Sequence, residues 1–185
     1  MALLESIDIP LGTPMPSFTL KDPYGVEHQS AKLIGSKGFL LVVTCNHCPY
    51  AKAVWPRVIR LASYGSSIGI NTAAVNPNIH PDYPDDAPAV MKQKIKEWGI
   101  TFPYLVDEKQ EIARALKAQC TPDIYLFNKD QKLVYHGRID DNWQDESKVK
   151  SEELKTAMAN LAEGKPVPVK QYPSMGCSIK WKKIE

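Results

Sequence analysis

Apolar residues run without a break from Phe39 to Val43 and stop at Thr44. A β-branched-rich run of that length predicts a central strand buried on both faces. Val54, Val58, Leu61 and Ala62 then recur at helical spacing, and Ile68 to Val75 reads as a second strand. Between that strand and the next helix lies a loop, Asn76 to Asp86, rich in proline and in residues that bond their own backbone. Met91, Ile95 and Trp98 mark one face of a helix that Gly99 ends. Tyr104-Leu105-Val106 predicts a short strand, and Ile112, Ala113 and Leu116 a further helix. Ile124–Phe127 and Leu133–His136, joined by Asn128-Lys129-Asp130-Gln131, form a hairpin pattern. Leu154, Met158, Leu161 and Ala162 give a last amphipathic helix, opened by Ser151 and closed by Gly164. Upstream, Phe18-Thr19-Leu20 and Val26-Glu27-His28 flank a turn-rich insert and predict another hairpin, after an extended opening to about Pro16.

Strand–helix alternation followed by a hairpin and a helix predicts an α/β fold, a central mixed sheet with helices on both faces. The chain of 185 residues reads as one domain over 1–164, with an N-terminal hairpin extension and a basic tail over 165–185. A net charge of +2 gives no whole-surface attraction to nucleic acid. The tail holds Lys165, Lys170, Lys180, Lys182 and Lys183 with Tyr172 and Trp181, but without the aromatic repeat of a nucleic-acid site. It is expected to pack Ile179 and Trp181 on the body and leave its lysines in water. His28 and His80 read as exposed loop residues. No stretch approaches the roughly 18 apolar residues of a membrane span. Residues Met1 to Asp8 carry no basic leader or signal-like apolar core, so a cytoplasmic, reducing compartment is the expectation.

Four cysteines are too few for a disulfide-stapled scaffold. Two of them form Cys45-Asn46-His47-Cys48, between the buried strand and the helix. A thiol at a helix N-terminus meets unpaired N–H groups and the positive end of the macrodipole, which favour the reactive thiolate. On this reading Cys45 lies at the helix start and forms the mixed disulfide, and Cys48, one turn on, resolves it. His47 is placed to donate to, or attract, a Cys45 thiolate and so to make the couple more oxidising. A structural zinc site would need four ligands, and Cys120 and Cys177 are solitary.

Val43-Thr44-Cys45-Asn46-His47-Cys48-Pro49-Tyr50, Tyr83-Pro84-Asp85-Asp86-Ala87-Pro88, Cys120-Thr121-Pro122-Asp123, Gly137-Arg138-Ile139-Asp140-Asp141 and Gly176–Lys182 occur in that order. With these residues the chain resembles the thioredoxin-like superfamily, in the redoxin branch that includes alkyl hydroperoxide reductase/thiol-specific antioxidant (AhpC/TSA) proteins. The resemblance implies a thioredoxin-like fold and a cis peptide between Thr121 and Pro122, whose loop faces the cysteines and offers its backbone to a substrate strand. Thr44, Asn46 and His47 replace the residues that surround ordinary thioredoxin cysteines and are expected to modulate the couple. Pro56, eight residues after Cys48, stands near where the family kinks its helix. The resemblance also implies a buried acid below the pair, for which Glu27, Asp107 and Asp140 are candidates.

Cys120 is either a third redox thiol or a small buried packing residue. The activity implied is thiol–disulfide exchange between the Cys45–Cys48 couple and protein disulfides or dithiols, with no cofactor, metal or nucleic acid. One alternative is a thiol-dependent peroxidase, although the Pro-x-x-x-Thr-x-x-Cys arrangement typical of peroxiredoxins is missing. Another is a copper carrier using Cys45, Cys48 and His136.

Overall fold

The structure is a computed structural model that describes residues 3–167 and 170–183. Its strands are β1 (Leu3–Glu5), β2 (Thr19–Lys21), β3 (Glu27–Gln29), β4 (Gly38–Val43), β5 (Ile70–Asn76), β6 (Tyr104–Val106), β7 (Cys120–Thr121), β8 (Asp123–Asn128), β9 (Leu133–His136) and β10 (Met175–Ser178). The helices are α1 (Ser30–Leu33), α2 (Pro49–Ser67), α3 (Pro88–Trp98), α4 (Glu111–Ala115) and α5 (Glu153–Ala162). Seven strands form one mixed sheet in the order β3-β2-β6-β5-β4-β8-β9. At its centre β4 lies parallel to β5 and antiparallel to β8.

Every residue of β4 is buried, as its uninterrupted apolar run requires. Leu40 and Val42 pack with Val54, Trp55 and Val58 of α2, Met91 of α3 and Leu154 and Met158 of α5. Phe39, Leu41 and Val43 point the other way, onto Ile112 and Ala113 of α4 and onto Ile9, Met15 and Phe18. Helices therefore cover both faces, as the alternation predicts. Gly99 ends α3 in the left-handed region at φ 67°, where glycine carries no Cβ penalty. Pro56 lies inside α2. No helix among the described residues is long and apolar enough to cross a membrane.

Several local expectations need correction. α2 begins at Pro49, so Cys48 is its N-cap and Cys45 lies outside the helix. Proline fits the first helical position because its missing N–H would have no partner there anyway. α5 begins at Glu153 behind Glu152, not Ser151. His28 sits on β3, half-buried, and bonds Asp22 at 3.1 Å, because the hairpin brings the two together.

The opening and closing segments are less separate than their sequence implies. β10 pairs antiparallel with β1 on one edge and β7 on the other, making a second, three-stranded sheet. In the tail Ile179 is buried, but Trp181 is 39% exposed and its ring lies 4.5 Å from the Arg114 guanidinium. A cation on its face lets that ring stay half in water.

Candidate active site

The site grows out of the end of β4. Thr44, buried, donates its N–H to Val75 O at 2.9 Å and holds the chain in register with β5 for one residue more. Cys45, Asn46 and His47 then form an irregular turn before α2 starts. Trp55, one face of α2, donates its indole N–H to Cys45 O at 3.4 Å. Both cysteine side chains are buried, and they pack together with Ala51 and Cys177.

Because α2 starts at Pro49, its free N–H groups serve Cys48 rather than Cys45, which corrects the sequence reading. The Cys48 thiol is pulled down from 9.0 to about 5 by a hydrogen bond from Cys45, helped by Cys177 and the Ala51 N–H, against the opposing effect of burial. Burial pushes the Cys45 thiol well up, and the adjoining Cys48 sulfur and the Asp86 carboxylate add to the rise. The two sulfurs titrate as one pair, with Cys48 losing its proton before Cys45.

The peptide between Thr121 and Pro122 is cis, as the resemblance implies. Thr121 meets both sulfurs: its Oγ1 lies 3.3 Å from Cys45 Sγ, and its carbonyl oxygen lies 3.1 Å from Cys48 Sγ. A cleft of about 280 Å³ opens beside Pro122, lined by Val54, Trp143, Tyr172 and Met175 among others.

The acid beside the pair is Asp86, which sequence reasoning did not select. It accepts from the Asn46 N–H at 2.6 Å and from Asn76 Nδ2 at 3.1 Å, and it pairs with His47 Nδ1. Asn46 is fixed further by its Nδ2 bond to Asp85 O at 2.9 Å and by the Tyr104 hydroxyl, which donates to its Oδ1 at 3.0 Å. The His47 ring rests on Tyr83 at 4.8 Å, and its Nε2 is buried without a partner among the described residues.

The three acids expected from sequence do other work. Glu27 is exposed on β3. Asp107 accepts from the Ala113 N–H at 2.9 Å at the start of α4, and its burial raises its carboxyl. Asp140 is held by Arg57 at 2.6 Å. The available signal was Asp85-Asp86 in a proline-rich loop, but it takes a fold to carry that loop across 39 residues to His47.

A ring nitrogen of His47, Cys45 Sγ and an Asp86 oxygen lie within 4.8 Å of one another, the one metal-capable group among the described residues. Asp86 there already serves two N–H donors and His47, so the set reads as a hydrogen-bonded network. His136 is not brought to the cysteines: its Nε2 lies 2.9 Å from Asp123 and its ring stacks on Tyr125, which removes the copper arrangement. Cys120 is buried, aimed at Pro122 O at 3.6 Å and Ser174 O at 3.8 Å, and burial pushes its thiol far up. That is the behaviour of a packing residue.

The profile of the AhpC/TSA family matches residues 11–136, from the extended opening segment to the last residue of β9. The chain belongs to the AhpC/TSA family. A crystal structure of an uncharacterized conserved protein from Geobacillus kaustophilus is similar to this AhpC/TSA chain, with 41% identity and a TM-score of 0.95 over 100% of this chain and 99% of that one. The thioredoxin domain of a thiol-disulfide oxidoreductase from Bacteroides vulgatus is 16% identical, with a TM-score of 0.58 over 70% of this chain and 89% of that one. It shows that the fold is thioredoxin-like. The thiol-disulfide oxidoreductase ResA of Bacillus subtilis is 24% identical over 123 residues, 66% of this chain and 64% of that protein.

Proposed function

We propose that this AhpC/TSA protein is a thiol–disulfide oxidoreductase that exchanges its Cys45–Cys48 dithiol or disulfide with protein substrates in a reducing compartment. The observation that carries the reading is the convergence of both sulfurs on Thr121, beside the cis-Pro122 peptide. A redox pair needs two sulfurs packed together beside a strand edge that aligns a partner strand, and this arrangement has both, with β10 lying on that edge.

In the reducing direction Cys45 attacks a substrate disulfide, and its proton passes to the Cys48 thiolate along the hydrogen bond that joins them. One substrate sulfur joins Cys45, and the other leaves as a thiolate. Cys48 then attacks Cys45 Sγ, closing the Cys45–Cys48 bond. Its proton goes to the departing substrate sulfur. Cys48 is thus both a local base and the resolving thiol, and Asp86 with His47 holds the turn that presents Cys45.

Turnover of insulin disulfides by the reduced protein tests the reading. Wild-type protein is expected to reduce insulin, and Cys45→Ser to lose the activity by roughly a thousandfold. Equal rates for the two would remove Cys45 from the reaction. Rapid thiol-dependent peroxide consumption without insulin reduction would transfer the assignment to the peroxidase reading.

A further inference from the structure

Cys177 has no part in the exchange just described, yet it is built into the same site. β10 runs antiparallel to β7 with Cys177 opposite Thr121 and Ser178 opposite Cys120. The tail strand therefore lies along the loop that carries Pro122, on the edge the proposed function assigns to a substrate strand. β1 closes its other edge, with Leu3 opposite Cys177. The approach is too close for a side chain at Gly176, since a Cβ there would overlap the Thr121 carbonyl. Cys177 is 2% exposed and packs in one cluster with Cys45, Cys48 and Ala51. Its thiol and its backbone N–H both act on the Cys48 sulfur and lower that thiol.

We propose that Cys177 is a third redox thiol, which exchanges with the Cys45–Cys48 disulfide to form a Cys48–Cys177 disulfide. The proposal rests on Cys45–Cys48 being the working couple. The Cys177 sulfur, as thiolate, attacks Cys48 Sγ. The Cys48–Cys177 bond forms, the Cys45–Cys48 bond breaks, and its electron pair leaves on Cys45, which takes up the proton that Cys177 gave up. One disulfide and one thiol stand on each side of the step, so no outside oxidant or reductant enters. The tail acts as a tethered substrate: its cysteine already occupies the aligned strand, so the exchange needs no bimolecular encounter.

In the reduced protein burial and the hydrogen-bonded Cys48 sulfur hold the Cys177 thiol up at about 12. Oxidation of the pair removes the Cys48 thiolate and with it the second of those effects. The outcome is an oxidised protein in which Cys45 is again a free thiol. Cys120 is the internal control, because it lies equally deep but aims at backbone carbonyls instead of a sulfur.

Wild-type protein and Cys45→Ser are equilibrated in glutathione buffers, quenched in acid, alkylated and mapped by non-reducing peptide mass spectrometry. Wild-type protein is expected to yield both Cys45–Cys48 and Cys48–Cys177 peptides. Cys45→Ser is expected to give Cys48–Cys177 in about tenfold or greater excess over Cys48–Cys120, as a preset contact dictates. A Cys48–Cys177 peptide missing from wild-type protein that still forms Cys45–Cys48 overturns the proposal and leaves the proposed function standing. So does a folded Cys45→Ser protein in which Cys177 stays a free thiol or Cys48 links to Cys120. Wild-type protein that forms no Cys45–Cys48 disulfide overturns the proposed function itself. Should Cys45→Ser fail to fold, the wild-type map decides alone.

Discussion

Cys45 and Cys48 are three residues apart, yet different parts of the chain hold them. Cys45 faces a polar network from the loop before α3: Asp86, the Asn46 backbone it anchors, and His47 against Tyr83. Cys48 faces the start of α2 and the tail, where Ala51 and Cys177 offer hydrogen bonds to its sulfur. The Cys45 flank sets a carboxylate against a buried sulfur and so disfavours charge on it, whereas the Cys48 flank sets donors from Cys45, Cys177 and Ala51 beside the Thr121 carbonyl that accepts from its thiol. The motif's spacing brings the sulfurs together, and its surroundings set the order in which they lose their protons.

The largest expected effect outside the cysteines comes from Asp86→Ala. It leaves the buried Asn46 N–H and the His47 ring without their acceptor, at a cost of about 3 kcal/mol. It also removes the charge that raises Cys45, so the Cys45 thiol is expected to titrate lower than in wild-type protein. Chemical denaturation and thiol titration read the two effects. An unchanged Cys45 titration would break the Cys45 side of the comparison.

Gly176→Ala probes the other flank. The new methyl group must push β10 off the Thr121 carbonyl, costing about 1–3 kcal/mol. Alkylation of Cys48 is expected to speed up in this variant, because the tail strand that covers it is displaced. A wild-type rate would mean that β10 does not limit access.

The third test is a pH dependence. Thiolate ultraviolet absorbance of the reduced protein is expected to persist at neutral pH and to fade as pH drops through about 5, and Cys48→Ser is expected to lack it. Since the folded state holds this thiol below its ordinary 9.0, the unfolded state binds more protons between those values. The contribution of Cys48 to stability is therefore complete above 9.0 and is lost as pH falls through about 5. A thiolate that survives Cys48→Ser but disappears in Cys45→Ser would reverse the assignment.

The central strand, its helices and the two hairpins were legible because each follows from a local pattern: the run Phe39–Val43, the spacing of Val54 and Val58, the stop at Gly99. The Cys45-Asn46-His47-Cys48 motif and its neighbour Thr121-Pro122 were legible for the same reason, with the resemblance supplying their pairing. The start of α2 was misplaced by four residues although Pro49 marks it, since proline at the first helical position is itself a start signal. Asp86 and β10 were not legible. Asp86 reaches the site only through the fold, 40 residues from Asn46. β10 reads Met-Gly-Cys-Ser, with no alternation to announce a strand, and its two partners lie far off in β1 and β7.

The electrostatic asymmetry leads to one number. A thiolate stabilised on Cys48 stabilises the reduced protein, and a stabilised reduced form makes a couple more oxidising. The hydrogen bonds gathered on Cys48 thus add a second cause to the one expected from His47. The reduction potential of the Cys45–Cys48 couple, measured by equilibration with glutathione and counting alkylated Cys45 and Cys48, tests this most directly. The expected value lies above the roughly −270 mV of thioredoxin. A potential at or below that value, or no two-electron transition of these two thiols at all, would contradict the account.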